Sequence, residues 1–136
     1  MNRLLSLLLV LTLLTACAPK QTPLTGADRD AVLIYSEAMT DNLLAALNSG
    51  DYAAFSRDFD ADMLKAMDAD QFAALKADRD AKLGAYISRE VTDVLTMDDF
   101  IVVVYAAVFE KEPEVFVRVV FHLEEPHQIS GLWFTK

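Results

Sequence analysis

From Ala27 to Asn48 the apolar residues Val32, Tyr35, Met39, Leu43 and Leu47 recur every three or four positions, the spacing of one helix face. This predicts a helix over that span, with Gly50 as its stop because glycine takes the left-handed conformation without a Cβ penalty. Asp51 is placed to cap a short helix through Phe55, with Tyr52, Phe55 and Phe59 turned inward. Asp60 to Met67 reads as another turn or two of helix. A longer helix begins at Asp68 or Asp70, uses Phe72, Leu75 and Leu83 as its inner face and ends at Gly84. Asp78 and Lys82 on it form a supportive i,i+4 pair.

Beyond Gly84 the period shortens. Ala85 to Met97 alternates imperfectly, and Phe100–Phe109 (FIVVVYAAVF) is an unbroken apolar run rich in β-branched residues. A run of that length suits a strand buried on both faces and is too short for a membrane helix. Glu110-Lys111-Glu112-Pro113 is a charged turn, with Pro113 barring continuation of the ladder. Val115, Val117, Val119, Phe121 and Leu123 then alternate with Phe116, Arg118, Val120 and His122. Glu124 to His127 forms the next turn, and Ile129 to Thr135 a closing strand. Helices followed by an antiparallel meander of about four strands make an α+β domain.

The first residues read as an address. Met1-Asn2-Arg3 is a short basic region, Leu4–Leu14 is almost wholly Leu and Val, and Leu14-Thr15-Ala16-Cys17 has the layout of a lipobox. The reading is a lipoprotein signal peptide over 1–16, cleavage between Ala16 and Cys17, and lipid on the Cys17 thiol. Residues 17–26 (with APKQTPLTG after the cysteine) form a tether, and 27–136 one domain. The expected location is lipid-anchored, at the extracytoplasmic side of the cell membrane or outer membrane. Two or more acyl chains give lasting attachment, at ~0.8 kcal/mol per buried CH₂.

Composition narrows the chemistry. Cys17 is the single cysteine, so disulfides, zinc-thiolate sites and thiol catalysis in the mature domain are excluded. The chain carries 12 basic against 21 acidic residues, a net charge of −9. An acidic surface without a basic stripe is a poor match for nucleic acid.

The segments Gly50–Phe59 (GDYAAFSRDF), Lys82–Tyr86 (KLGAY), Val104–Phe121 (VYAAVFEKEPEVFVRVVF) and Ile129–Phe134 (ISGLWF) resemble the family called domain of unknown function 3887. The resemblance implies a nuclear-transport-factor-2-like (cystatin-like) cone, a curved sheet wrapped over helices that often leaves a cavity. It brings no catalytic motif to carry across. A fold of this kind hosts enzymes and binders alike.

The remaining candidates come from the residues. Asp58, Asp60 and Asp62 imitate the start of a calcium loop, but Met63 and Ala69 stand where that loop needs Gly and Glu. His122 and His127 flank Glu124 and Glu125 at a spacing that sends them to opposite faces. No metal or cofactor is expected. Arg118 is a cation in an apolar strand. If Phe109 pairs with Val115, Arg118 faces Ala106 and requires an acidic partner such as Asp58, an edge position facing water, or an anion in the cavity. Tyr105, Arg118, Trp133 and Tyr52 are the candidate ligand-cavity residues, and with Tyr35 and Phe55 the aromatics serve equally as plain core. Phe100, Val102, Val104 and Val108 on the outer face would exceed the apolar patch that monomers usually expose. A homodimer through the sheet or another protein partner follows, beside a small apolar ligand in the cone. The leading expectation is a non-catalytic binding or interaction domain. The alternative is a small enzyme using the cavity for acid–base chemistry through Tyr105 or His122.

Overall fold

The structure, a computed structural model, describes residues 18–136. The expected signal peptide (1–16), the expected cut after Ala16 and the expected lipidation site Cys17 lie outside the described residues. The element order is β1 (Gln21–Pro23), α1 (Gly26–Ser49), α2 (Tyr52–Phe55), α3 (Ala61–Ala66), α4 (Ala69–Lys82), β2 (Tyr86–Met97), β3 (Phe100–Phe109), β4 (Val115–His122) and β5 (Ile129–Thr135). No described helix is long and apolar enough to cross a membrane.

The helix starts follow from aspartate capping. Asp51, Asp60 and Asp68 each accept a hydrogen bond from the backbone N–H three residues on, which satisfies one orphan donor at each N-terminus. Gly50 ends α1 at φ 76°, and its N–H bonds the Ala46 carbonyl. Asp78 and Lys82 make the expected pair at 2.8 Å.

The sheet has five strands in the order β1-β2-β3-β4-β5, all antiparallel and open at both edges. The expected four are joined by β1, which lies within the segment read as tether. Gln21, Thr22 and Pro23 pair with Met97, Thr96 and Leu95. Pro23 is tolerated because β1 is an edge. The β3–β4 register also differs from the expected one. Val115 pairs with Ala107, not Phe109, so Arg118 stands across from Val104 and not Ala106. The cause is the turn: the Phe109 N–H bonds the Glu112 carbonyl, and Lys111 Nζ is held by the Asp80 and Ala81 carbonyls at the end of α4. A shift of two residues leaves every side chain on its expected face. Leu123, expected inward, is exposed because β4 ends at His122.

The core lies between the helices and one sheet face. Leu43 and Leu47 of α1 and Phe55, Phe59 and Phe72 meet Ile101, Val103, Tyr105, Ala107 and Phe109 of β3, with Val115, Val117, Val119 and Phe121 of β4. Fully burying side chains of this size contributes roughly 1.5–3 kcal/mol each. A second cluster forms on the outer face, where Val102, Val104 and Val120 pack with Leu95, Met97 and Phe100. Strand β3 is thus apolar on both sides because both sides are packed.

Candidate functional site

The four expected cavity residues do not converge. Tyr105 points into the helix-facing core at 0% exposure. Its hydroxyl lies 3.1 Å from Thr40 Oγ1, and the Arg89 guanidinium sits 4.9 Å from its ring centroid. Burial pushes the Tyr105 phenol up to about 12, against the hydrogen bond to Thr40. It therefore stays protonated at neutral pH and is a poor proton-transfer group. Tyr52 is half-buried between the short helices, donating to the Met67 carbonyl at 2.9 Å and tilted on Phe72. Phe55 is plain core, and Tyr35 stacks on His127 at 3.8 Å between ring centroids. A cone cavity lined by Tyr105, Arg118, Trp133 and Tyr52 is thus replaced by a closed interior at Tyr105.

Arg118 and Trp133 occupy the opposite side of the sheet. They are direct cross-strand partners on β4 and β5, on the face turned away from the helices. Arg118 does not reach Asp58, which pairs with Arg57 at 2.8 Å. Nor does it sit on an edge, since β4 lies between β3 and β5. Among the described residues it has no ion-pair partner. Trp133 is 53% exposed and its ring lies against Gly131, where a Cβ would come within 2.2 Å of the indole. Together with Gln21, Met97, Val102, Val120 and Thr135 these two residues line a groove of about 290 Å³. Its floor is apolar, and among the described residues Arg118 is the one charged group lining it.

The strand registers arrange this face in rows. Asp93, Val104, Arg118 and Trp133 stand side by side on β2, β3, β4 and β5. The next rows are Glu90, Ala106 and Phe116 on one side, and Leu95, Val102 and Val120 on the other. Phe116 is 37% exposed. The outer face therefore offers exposed aromatics and, among the described residues, a cation without an ion-pair partner over a valine floor.

A second polar site sits at the end of the sheet. His122 Nε2 lies 2.7 Å from Asp60 Oδ2, while Asp60 also caps α3 through the Met63 N–H and takes a hydrogen bond from Ser130. Burial alone would raise the Asp60 pKa; the Met63 N–H, the bonds from His122 and Ser130 and the His122 charge outweigh it, so the carboxyl is held below its usual range. His122 borders a hollow lined by Asp99, Phe100, Leu123 and Glu124. The calcium-like aspartates are divided among separate partners: Asp58 with Arg57, Asp60 with His122, Asp62 with Lys65 at 3.9 Å.

Arg89 is a charged residue that pattern reading passed over, as is the buried Arg79, which bonds Asn48, the Leu47 carbonyl and Asp80. The Arg89 side chain is 7% exposed, bonded to Asp41 Oδ1 at 2.5 Å and to the Tyr86 hydroxyl at 3.1 Å, with Glu37 at 3.4 Å. Burial works against its charge, but the Asp41 and Tyr86 bonds and the Glu37 charge prevail, and its pKa stands above the ordinary value. Glu37 and Asp41 are an i,i+4 acidic pair on α1, a spacing that calls for a cation between them. That pair was the available signal.

A family model described as "Protein of unknown function (DUF3887)" matches residues 40–132. No curated protein and no solved structure matches the chain.

Proposed function

The chain belongs to the DUF3887 family, and from that premise we propose a non-catalytic binding module that works through the outer face of its sheet. The module is a nuclear-transport-factor-2-like cone held at the extracytoplasmic side of a membrane by lipid on Cys17. One observation carries the reading. The helix-facing interior is closed at Tyr105, whereas the opposite face presents Trp133 and an Arg118 without an ion-pair partner among the described residues, above an apolar groove. Unpaired charge and exposed aromatic surface over an apolar floor favour occupancy by a small, partly apolar ligand or by a protein surface.

The test uses the chain's single tryptophan. Trp133 fluorescence reports on this face alone. In the chain extracted from its host in mild detergent, the reading expects Trp133 to be shielded from acrylamide more than its structural exposure allows. Quenching equal to that of a freely exposed indole contradicts it. The anchor is tested by the mass of the extracted chain, which should begin at Cys17 and carry two or more acyl chains there. An unmodified Cys17 argues against lipidation.

A second reading rests on the 2.7 Å contact between His122 and Asp60. A carboxylate that orients an imidazole is part of the equipment of general acid–base catalysis. Under this reading a hydrolytic activity of the extracted chain disappears in His122→Gln while the fold persists. An activity unchanged in that variant removes His122 from the chemistry.

A further inference from the structure

We infer that the outer face binds a second copy of this chain, with a two-fold axis lying along β3, so that Arg118 of each copy meets Asp93 of the other. The inference rests on the reading that this face is the working surface, and it names the occupant. The register supplies the argument. β3 is the middle strand of five, with β2 on one side and β4 on the other. Asp93, Val104 and Arg118 are level with one another across those three strands. A two-fold axis along β3 turns the face over and carries β4 of one copy onto β2 of the other. Arg118 then lies over Asp93 of the second copy, twice by symmetry, on either side of the Val104 row, which is already buried within each copy. In the flanking rows Val120 meets Leu95 and Phe116 meets Glu90 of the second copy. An isologous patch must be complementary to itself in this sense.

The competing in-plane axis is selected against. A two-fold axis perpendicular to the strands through the same row keeps β4 over β4, which sets Arg118 against Arg118 and Asp93 against Asp93. Like charges placed directly opposite across an interface oppose association. Of these two axes, the one along β3 pairs opposite signs.

The distances suit the pairing. Face-to-face sheets pack about 10 Å apart, which an extended arginine and an aspartate together span. Sheets in aligned packing cross at about −30°, and at one strand spacing of ~4.8 Å from the axis this displaces a side chain by only roughly 2.4 Å. Three strand gaps by about 25 Å of strand, with the three-residue β1 adding ~50 Å², give ~400 Å² per copy, the size of a weak interface. A shared membrane raises the local concentration of tethered copies and favours association at that size.

The experiment measures the dissociation constant of the full chain in mild detergent by sedimentation. It compares the wild type, Arg118→Asp, Asp93→Arg and the double variant carrying both. The proposal expects a wild-type dimer, each single reversal weaker by about tenfold or more, and the double reversal restored to within about threefold of wild type. Far-UV circular dichroism checks folding, and the neutral isosteres Arg118→Gln and Asp93→Asn replace any reversal that fails to fold, each expected to weaken the dimer. A dimer indifferent to all of these changes overturns the proposal, as does a double reversal weaker than either single one. A monomer carrying a small molecule, with Trp133 shielded, overturns the dimer and leaves the outer-face reading standing. A bare monomer with Trp133 freely quenched overturns both.

Discussion

The indole of Trp133 occupies the space that Gly131 leaves empty: a Cβ at position 131 would lie 2.2 Å from Cη2 and Cζ3 of that ring. The two residues are on β5 and share the outer face, and Gly131 pairs with Val120 of the valine floor. The glycine thus seats the aromatic ring over the groove. Gly131→Ala should expel the indole from this position. Because Trp133 is half-exposed it can swing into water, so the stability change is expected to stay within about 1 kcal/mol. A red-shifted Trp133 emission with an almost unchanged urea midpoint is the expected result. An unchanged spectrum would place the ring elsewhere.

Tyr105→Phe removes the hydroxyl that meets Thr40 at 3.1 Å in a fully buried setting. The cost is the lost bond together with the desolvated Thr40 hydroxyl it leaves behind, about 1–2 kcal/mol in urea unfolding. Because the residue stands on the helix-facing side, Trp133 fluorescence should not change. A large change in the shielding of Trp133 would mean that the two faces are coupled.

Arg89→Met keeps the apolar stem packed but leaves Glu37 and Asp41 as neighbouring like charges on α1. The carboxylates are partly exposed, at 42% and 70%, so solvent absorbs part of the loss and destabilisation of about 1–3 kcal/mol is expected. Adding Glu37→Gln to Arg89→Met should recover part of it. A further loss in that double variant would show that Glu37 is stabilised by something other than Arg89.

The pH dependence follows from Asp60, whose pKa is depressed in the folded chain. A depressed carboxyl stabilises the fold above its unfolded pKa, near 3.9 for aspartate, and that contribution is lost as pH falls through the lower folded value. Asp60→Asn retains a capping side chain but cannot ionise. It should be less stable than wild type at pH 7, and the gap should narrow as pH falls below about 4. Urea midpoints across that range measure it. A gap constant with pH would remove ionised Asp60 from the account.

The α+β class was legible because the apolar period changes from helical to alternating at Gly84, and because aspartates mark three helix starts. β1 was not, since three residues ending in proline carry no alternation. Trp133 shows why the site was harder. Strict alternation from Ile129 would place 129, 131 and 133 on one face, and Ile129 is buried in the core. The irregularity between Val120 and Phe121 pairs Gly131 with Val120 but Ile129 with Phe121, which turns Trp133 outward. A single bulged step leaves no mark in the residue pattern, yet it decides which face receives the tryptophan. Arg118 was legible as an anomaly, but its lack of an ion-pair partner among the described residues depends on where Asp58 and Asp93 lie in three dimensions.

The central claim is that the outer sheet face, and not the interior around Tyr105, holds this protein's partner. Native mass spectrometry of the full chain extracted from its host, as wild type and as Trp133→Ser, tests it most directly. The account predicts an associated mass beyond any lipid anchor, a second copy under the dimer inference, that is lost or strongly reduced in Trp133→Ser and retained in Tyr52→Phe. A bare monomer, or an associated mass indifferent to Trp133, would contradict it.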